Sequence, residues 1–204
     1  DHRDLHSFPT RRSSDLAMHR YPNVIEEVIV AVAFLSSKTP FTLPPGMEDE
    51  ARKAHQSFAS EYGDFKSFLD IHAQFRELKK AEDRERFCKK FYLDYPSMQE
   101  ILHVSEQIAE IVSELGFPLS HGGSIREYLS CLAAGLLQFV CVKAKRNMYK
   151  SLTAGQIYIH PGSAWFRELP QFILAGEIVQ TSRMYARSVS PLKREWLDGI
   201  SSDL

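Results

Sequence analysis

The stretch Ser124–Lys145, SIREYLSCLAAGLLQFVCVKAK, contains a change of hydrophobic period that decides the fold class. Ser124 followed by Glu127 is a capping-box pattern, which marks the start of a helix. The apolar residues after it recur at intervals of three and four, as on one helix face; they are Ile125, Tyr128, Leu129, Leu132 and Leu136. From Phe139 onward the period is two, as in a strand. The sequence therefore predicts an α+β protein in which an N-terminal helical bundle is followed by a small C-terminal β-barrel.

Helical patterns extend through most of the chain before this stretch. Between Ser97 and Leu115 the three-and-four spacing returns. Ser97 with Glu100 forms a second capping-box pattern, and Gly116 supplies a stop. Residues 23–37 fit either a helix or a buried strand, because the run VIV within them is β-branched. The remaining helices are predicted over residues 48–59, 64–80 and 83–93.

After residue 138, short segments with strand character are separated by Asn, Gly and Pro turns. They are residues 139–145, 156–160, 172–175, 177–180 and 184–189. This spacing predicts a small barrel, and the OB-fold is the common five-stranded barrel that binds single-stranded nucleic acid. We therefore predict a helical domain over residues 17–137 and an OB-fold domain over residues 138–200.

The composition is that of an ordinary globular protein. Of the 204 residues, 44% are hydrophobic and 25% are charged, which is enough apolar surface to offset the entropy of the chain. The longest apolar run, residues 28–35, is too short to cross a membrane, so no membrane partner is expected. The three cysteines are odd in number and lack CxxC spacing, which argues against disulfides or a zinc knuckle. They indicate a reducing compartment, and we expect a cytoplasmic location.

Charge is divided unevenly along the chain, although the net value is only −1. Residues 1–140 carry 16 Lys and Arg against 21 Asp and Glu, a net −5. Residues 141–197 carry 9 against 3, a net +6, and residues 198–204 contribute −2. The basic excess lies in the predicted barrel, where cations could neutralise phosphates.

A basic run, Lys143–Lys150, is the strongest local signal for nucleic-acid binding. Its cations can neutralise phosphates, and Tyr149 could stack a base. The same run suits a solvated hairpin tip equally well. A second group, Arg183, Tyr185 and Arg187, alternates along a predicted strand and would project from one face, which favours binding.

Sequence signatures of a self-contained catalytic site are absent. The chain contains no GxxxxGK[ST], no GxGxxG after a strand, no HExxH and no GxSxG. Its eight histidines show no metal-ligand spacing. A free-standing enzyme is therefore not expected, and no catalytic or metal-binding residue is assigned.

The start of the chain is excluded from the fold prediction. The run His6–Leu16 resembles the conceptual translation of a short-read sequencing adapter, so residues 1–16 are interpreted as an artefactual leader. On that interpretation, the gene continues upstream and the chain is a fragment. A natural disordered tail is the alternative interpretation.

Several blocks of the sequence resemble the helicase-associated, ratchet and OB-fold regions of bacterial DEAH-box RNA helicases of the HrpA type. In the helical part the blocks are EARKAH at 50–55, GDF at 63–65 and RFCKKFYL at 86–93. In the barrel they are IHPGSAWF at 159–166, AGEIVQTSRMYAR at 175–187 and EWL at 195–197. The resemblance covers the chain from about Tyr21 to Leu197.

This resemblance implies an ATP-dependent enzyme that translocates along single-stranded RNA and unwinds duplexes. ATP and magnesium would be bound by two RecA-like lobes, whose Walker A lysine, DEAH box and arginine-finger motif this chain lacks. The chain itself is expected to bind no cofactor, to contact single-stranded RNA and the RecA-like lobes of its parent, and to be inactive alone. The residues expected to contact RNA are Lys143, Lys145, Arg146, Tyr149, Lys150, Ser163, Arg183, Tyr185 and Arg187, with Ser163 as a phosphate donor.

A second function stays open at this point. The chain could be an interaction platform that docks a helicase core or an activator peptide, with only minor RNA contact. The apolar content of the helical part favours this alternative, because surfaces that face the lobes in a parent protein would be exposed as patches.

Overall fold

The computed structural model of the chain describes residues 17–198 and residue 200, so the leader interpretation of residues 1–16 lies outside the described residues. The chain divides into two compact units. Residues 26–119 form the helical unit, and the described residues among 1–25 and 120–204 form the barrel unit. The predicted domain boundary at 137/138 stays a prediction. It lies where helices give way to strands, whereas the barrel unit also includes the helix before the first strand.

Helices account for most of the helical unit. They are α1 (Ile25–Ser36), α2 (Glu48–Gln56), α3 (Asp64–Glu77), α4 (Ala81–Phe91) and α5 (Tyr95–Glu114). The segment that fitted either a helix or a strand is thus helical. Glu26 and Glu27 in its first turn favour this outcome, because acidic side chains stabilise the positive end of the helix dipole.

The start of α5 differs from the prediction. Its N-cap is Asp94, whose carboxylate accepts hydrogen bonds from the backbone N–H of Ser97 at 3.0 Å and from the Ser97 hydroxyl at 2.6 Å. The predicted capping box of Ser97 with Glu100 is therefore wrong. The stop at Gly116 is confirmed: its φ of +86° is a left-handed conformation that favours glycine.

Phenylalanines make up much of the core of the helical unit. The rings of Phe34 and Phe68 stack with their centroids 4.4 Å apart, and the buried Phe75 lies 6.2 Å from Phe87. Rings at these separations add attractive contacts to the burial of their apolar area. The core thus joins α1 to the consecutive helices α3 and α4.

His55, from the EARKAH block, has a structural role. Tyr92 has a left-handed φ of 52°, and its carbonyl accepts hydrogen bonds from the Thr42 backbone at 3.0 Å, from the Thr42 hydroxyl at 2.8 Å and from His55 Nε2 at 3.2 Å. Burial lowers the pKa of His55, which favours the neutral ring. Because a carbonyl oxygen can only accept, the proton of that ring is placed on Nε2. His55 therefore ties α2 to the turn that follows α4.

Besides helical residues 17–20 and the 3-10 helices Pro22–Val24 and Leu137–Phe139, the described part of the barrel unit contains one long helix, seven short strands and a short last helix. They are α6 (Ile125–Gly135), β1 (Val140–Lys145), β2 (Met148–Lys150), β3 (Ile157–Ile159), β4 (Phe172–Leu174), β5 (Glu177–Gln180), β6 (Met184–Arg187), β7 (Ser190–Leu192) and α7 (Arg194–Leu197). The capping box of Ser124 and Glu127 is confirmed, because each side chain bonds the backbone N–H of the other residue. Strands β2 and β7 were not predicted, because β2 lies within the basic run and β7 contains Pro191, which is unusual inside a strand.

The pairing of the strands closes a barrel. The ladder runs β5-β6-β3-β2-β1-β4-β7, with β3 and β6 parallel and the other neighbours antiparallel. Only Ala175 and Gly176 separate β4 from β5. The two strands therefore form one bent strand, whose β4 end pairs with β1 and whose β5 end pairs with β6. Strands β6 and β7 likewise form one interrupted strand. Counted this way, five strands close on themselves, and the predicted α+β class with a C-terminal barrel is confirmed.

The interior of the barrel is apolar. Its buried residues are Cys141, Tyr149, Ile157, Ile159, Ile173, Ala175, Ala186 and Val189. All three cysteines of the chain are free and buried, as expected of small core residues, and burial raises the pKa of each thiol to about 12. No helix within residues 17–198 is long and apolar enough to cross a membrane.

Candidate nucleic-acid interface

The hairpin of β1 and β2 presents three of the predicted cations to solvent. Lys145 and Arg146 are exposed at its tip, and Lys150 is exposed at the far end of β2. Lys150 pairs with Val142 across the ladder, so its side chain points away from the barrel interior. In the part of the chain that the structure describes, none of these three cations forms a salt bridge.

Lys143 is placed differently. It pairs with the buried Tyr149 and is half-buried, and its Nζ donates a hydrogen bond to the carbonyl oxygen of Leu169 at 2.9 Å. Its backbone N–H donates to the carbonyl oxygen of Gln171 at 2.8 Å. Lys143 therefore holds the segment between β3 and β4, and only part of its hydrogen-bonding capacity is left for a phosphate.

Tyr149 does not lie on the surface. Its exposed fraction is 0%, its ring belongs to the barrel core, and its hydroxyl donates to the carbonyl oxygen of Pro170 at 2.8 Å. A base cannot reach a ring that the core covers on both faces. The prediction that Tyr149 stacks a base is therefore wrong, because the side chain points inward from β2.

The second predicted group shares the outer face of β6. Arg183 and Arg187 are exposed and Tyr185 is half-buried, whereas Ala186 between them is buried in the core. Alternation along the strand produces this arrangement. Arg187 Nη1 lies 3.5 Å from Glu177 Oε1 on β5. Both side chains are exposed, so solvent screens this ion pair, and Arg187 keeps much of its attraction for an anion.

Two further aromatic residues, Tyr158 and His160, lie on the same face and were missed from the sequence. Tyr158 pairs with Tyr185 across the parallel β3–β6 ladder, and their ring centroids are 6.4 Å apart. The guanidinium carbon of Arg183 lies 5.2 Å from the centre of the Tyr158 ring, and the His160 ring lies 5.7 Å from that of Tyr185. The alternation Ile157-Tyr158-Ile159 could have identified Tyr158, because the isoleucines face the core.

Ser163 lies in the turn that ends β3. Its backbone N–H donates to the carbonyl oxygen of His160 at 2.9 Å, and its hydroxyl oxygen accepts from the backbone N–H of Trp165 at 3.2 Å. The N–H of Gly162 donates to Nδ1 of His160 at 3.0 Å. A Cβ at Gly162 would lie 3.0 Å from the same nitrogen, so the turn favours glycine there. The phosphate contact of Ser163 stays a prediction.

The register of the strands brings these groups into one surface. Tyr149 pairs with Ile157, so antiparallel pairing places Lys150 beside Gln156 and Met148 beside Tyr158. OB-folds generally bind oligonucleotides on the outer face of their second and third strands and on the loops that join the first two and the last two strands. Here that region carries the residues Lys145, Arg146, Lys150, Tyr158, Arg183 and Tyr185, which we call the basic-aromatic face.

Comparison with known proteins agrees with this geometry. Residues 129–203 match a family model described as an oligonucleotide/oligosaccharide-binding (OB)-fold, which confirms the predicted barrel type. The chain is 37% identical to the ATP-dependent RNA helicase HrpA of Borreliella burgdorferi over 186 residues, which are 90% of this chain and 22% of the relative.

More distant relatives have similar names. The chain is 29% identical to the pre-mRNA-splicing factor ATP-dependent RNA helicase DEAH10 of Arabidopsis thaliana, over 88% of this chain and 27% of the relative. It is 27% identical to the ATP-dependent RNA helicase HrpA of Escherichia coli, over 88% of this chain and 14% of the relative. The chain thus spans only about a fifth of the length of these curated relatives.

Proposed function

Because the chain is related over most of its length to the DEAH-box RNA helicases of the HrpA type, we propose that it is the C-terminal part of such a helicase and grips single-stranded RNA. The observation that carries the proposal is the basic-aromatic face of the barrel unit. Cations at the hairpin tip and beside β6 can neutralise phosphates, and the rings between them can contact bases.

The proposal divides the work between this chain and RecA-like lobes of the parent protein. Phosphoryl transfer needs a backbone cradle for the phosphates and a site for magnesium, and the sequence has no P-loop to supply them. ATP and magnesium would therefore be bound by the lobes, whereas this chain holds the strand. We propose a cytoplasmic location, in keeping with three free cysteines.

Fluorescence anisotropy with a labelled single-stranded RNA tests the proposal. An oligomer of about 10 nucleotides suits the roughly 4–16 nucleotides that one OB-fold covers. We expect binding that weakens with added salt, because each phosphate contact releases counterions. Binding that is absent even at low salt would contradict the proposal.

Charge reversal locates the contact. We expect Lys145→Glu with Arg146→Glu to weaken binding and to reduce the slope of log Kd against log salt by about 1.4, since each contact with a single strand contributes about 0.7. The matched control is Lys79→Glu with Lys80→Glu, an adjacent exposed pair in the helical unit. Equal losses in the two double variants would show that the chain responds only to its net charge.

A second candidate function, docking of the RecA-like lobes, is favoured by apolar exposure in the helical unit. Ile111 and Leu115 lie one turn apart near the end of α5 with exposed fractions of 56% and 61%. Titration calorimetry with the separately produced lobes of a helicase relative would test it. We expect Ile111→Glu to weaken docking and to leave RNA binding unchanged; docking that Ile111→Glu leaves unaltered would exclude this surface.

A further inference from the structure

The outer face of the β3–β6 ladder carries two tyrosines whose environment differs from that of Tyr149. Tyr158 and Tyr185 are half-buried, and neither hydroxyl has a hydrogen-bond partner among the described residues. Tyr149, by contrast, is fully buried and donates to a carbonyl. A tyrosine that serves the core usually pairs its hydroxyl with a protein group. The two outer tyrosines keep ring surface and hydroxyl available to solvent.

Planar groups adjoin each other on this face. The rings of Tyr158 and Tyr185 are tilted by 53° at 6.4 Å, and Arg183 lies over Tyr158 with its guanidinium carbon 5.2 Å from the ring centre. A guanidinium is flat, so it can lie against a tyrosine on one side and against a base on the other. Lys150 on β2 and Arg187 on β6 are further exposed cations on strands that adjoin β3.

We infer that Tyr158, Tyr185 and Arg183 form a stacking platform for unpaired RNA bases. This inference rests on the RNA binding proposed above and adds the chemical group that the barrel recognises. Base stacking on aromatic rings tolerates any sequence, because every base has a flat face. In a duplex those faces are covered by neighbouring base pairs, so the platform selects single strands. Tyr158 thereby takes the stacking role that the sequence had assigned to Tyr149.

Two RNA strands of equal charge distinguish stacking from phosphate binding. One is the single strand used above, and the other is an abasic strand of the same length, which keeps its ribose and phosphate groups. We expect the wild-type chain to bind the strand with bases more tightly. Tyr158→Ala should raise the Kd for that strand by roughly 5- to 100-fold, as expected for the loss of one stacked base.

The same substitution should leave the Kd for the abasic strand and the salt slope nearly unchanged, because no cation is removed. Tyr158→Phe keeps the flat face and should retain binding. The matched control is Tyr62→Ala, which removes a half-buried tyrosine from the helical unit. If Tyr158→Ala unfolds the barrel, Tyr158→Leu preserves apolar bulk without an aromatic face and takes its place.

Each other outcome has a definite meaning. Equal weakening for both strands would show that Tyr158 only supports the barrel, and equal wild-type affinity for both strands would exclude stacking; either result overturns the platform while RNA binding stands. If the wild-type chain binds neither strand at low salt, the proposed function itself is overturned. Loss of base-dependent binding in Tyr62→Ala would also count against a site on the barrel.

Discussion

Replacement of Tyr149 tests whether its ring belongs to the core or to the RNA-binding surface. Tyr149→Phe removes the hydroxyl that donates to Pro170 at 2.8 Å, and such hydrogen bonds contribute about 0.5–1.5 kcal/mol. Tyr149→Ala also removes a ring that is 0% exposed, and truncating a buried aromatic side chain costs about 3–5 kcal/mol. We therefore expect a graded loss in the free energy of unfolding of the barrel unit.

Urea unfolding followed by tryptophan fluorescence measures the free energy of unfolding of the barrel unit specifically. The chain has two tryptophans, Trp165 and Trp196, and both belong to the barrel unit. With an m value of about 1–3 kcal/mol/M, the loss of about 1 kcal/mol in Tyr149→Phe lowers the urea midpoint by about 0.3–1 M. Tyr149→Ala should lower it several times further or leave the barrel unfolded without urea.

An exposed stacking tyrosine would behave in the opposite way. Surface substitutions usually change stability by less than about 0.5 kcal/mol. If Tyr149→Ala changes the free energy of unfolding by no more than this, Tyr149 is not a core residue and the reasoning is refuted. Tyr158→Ala on the outer face provides the comparison, because we expect it to lower RNA affinity more than stability.

The remaining predictions concern the helical unit and the thiols. Burial, with a smaller effect of Arg76, lowers the pKa of His72 to about 4, and His72 Nε2 lies 3.1 Å from Ser105 Oγ. In the unfolded chain His72 binds a proton near pH 6.5, so acidification from pH 6.5 to 4 should destabilise the helical unit by up to about 3 kcal/mol. Urea unfolding followed by circular dichroism would measure this loss. An unfolding free energy that does not change with pH would contradict it. In the same assay, Asp94→Ala should lower the free energy of unfolding by about 1 kcal/mol, because the helix loses its N-cap. Glu100→Ala should lower it by less than about 0.5 kcal/mol. Equal losses would support the capping box of Ser97 with Glu100 instead. The three buried cysteines should react with a thiol reagent only on unfolding, and rapid labelling of the native chain would show that they are not core residues.

Local patterns predicted the helices well because each pattern lies within one element. The spacing of apolar residues located α2 to α6 to within a few residues, and Ser124 with Glu127 marked the start of α6. The error at α5 had a local cause too. Asp94 and Ser97 are both good capping residues, and the pattern with a glutamate three positions later favoured the second. The structure uses Asp94, so the helix begins earlier.

The site was predicted in part. Arg183, Tyr185 and Arg187 share an outer face, as their alternation indicated, and Lys145 and Arg146 are exposed at a hairpin tip. Whether these residues contact RNA stays a proposal. Tyr149 lies on β2, which is only three residues long, so no period in the sequence showed that its side chain faces inward.

The sequence by itself determined the order of helices and strands, the separation of a net −5 from a net +6 along the chain, and the resemblance to a helicase family. Only the tertiary structure decided that Tyr149 faces the core and that Tyr158 lies beside Tyr185. Tyr149 became a core residue because β2 pairs with β1 and β3, and Tyr158 joined Tyr185 because β3 pairs in parallel with β6. Barrel closure unites residues that are far apart along the chain, and no local pattern contains that information.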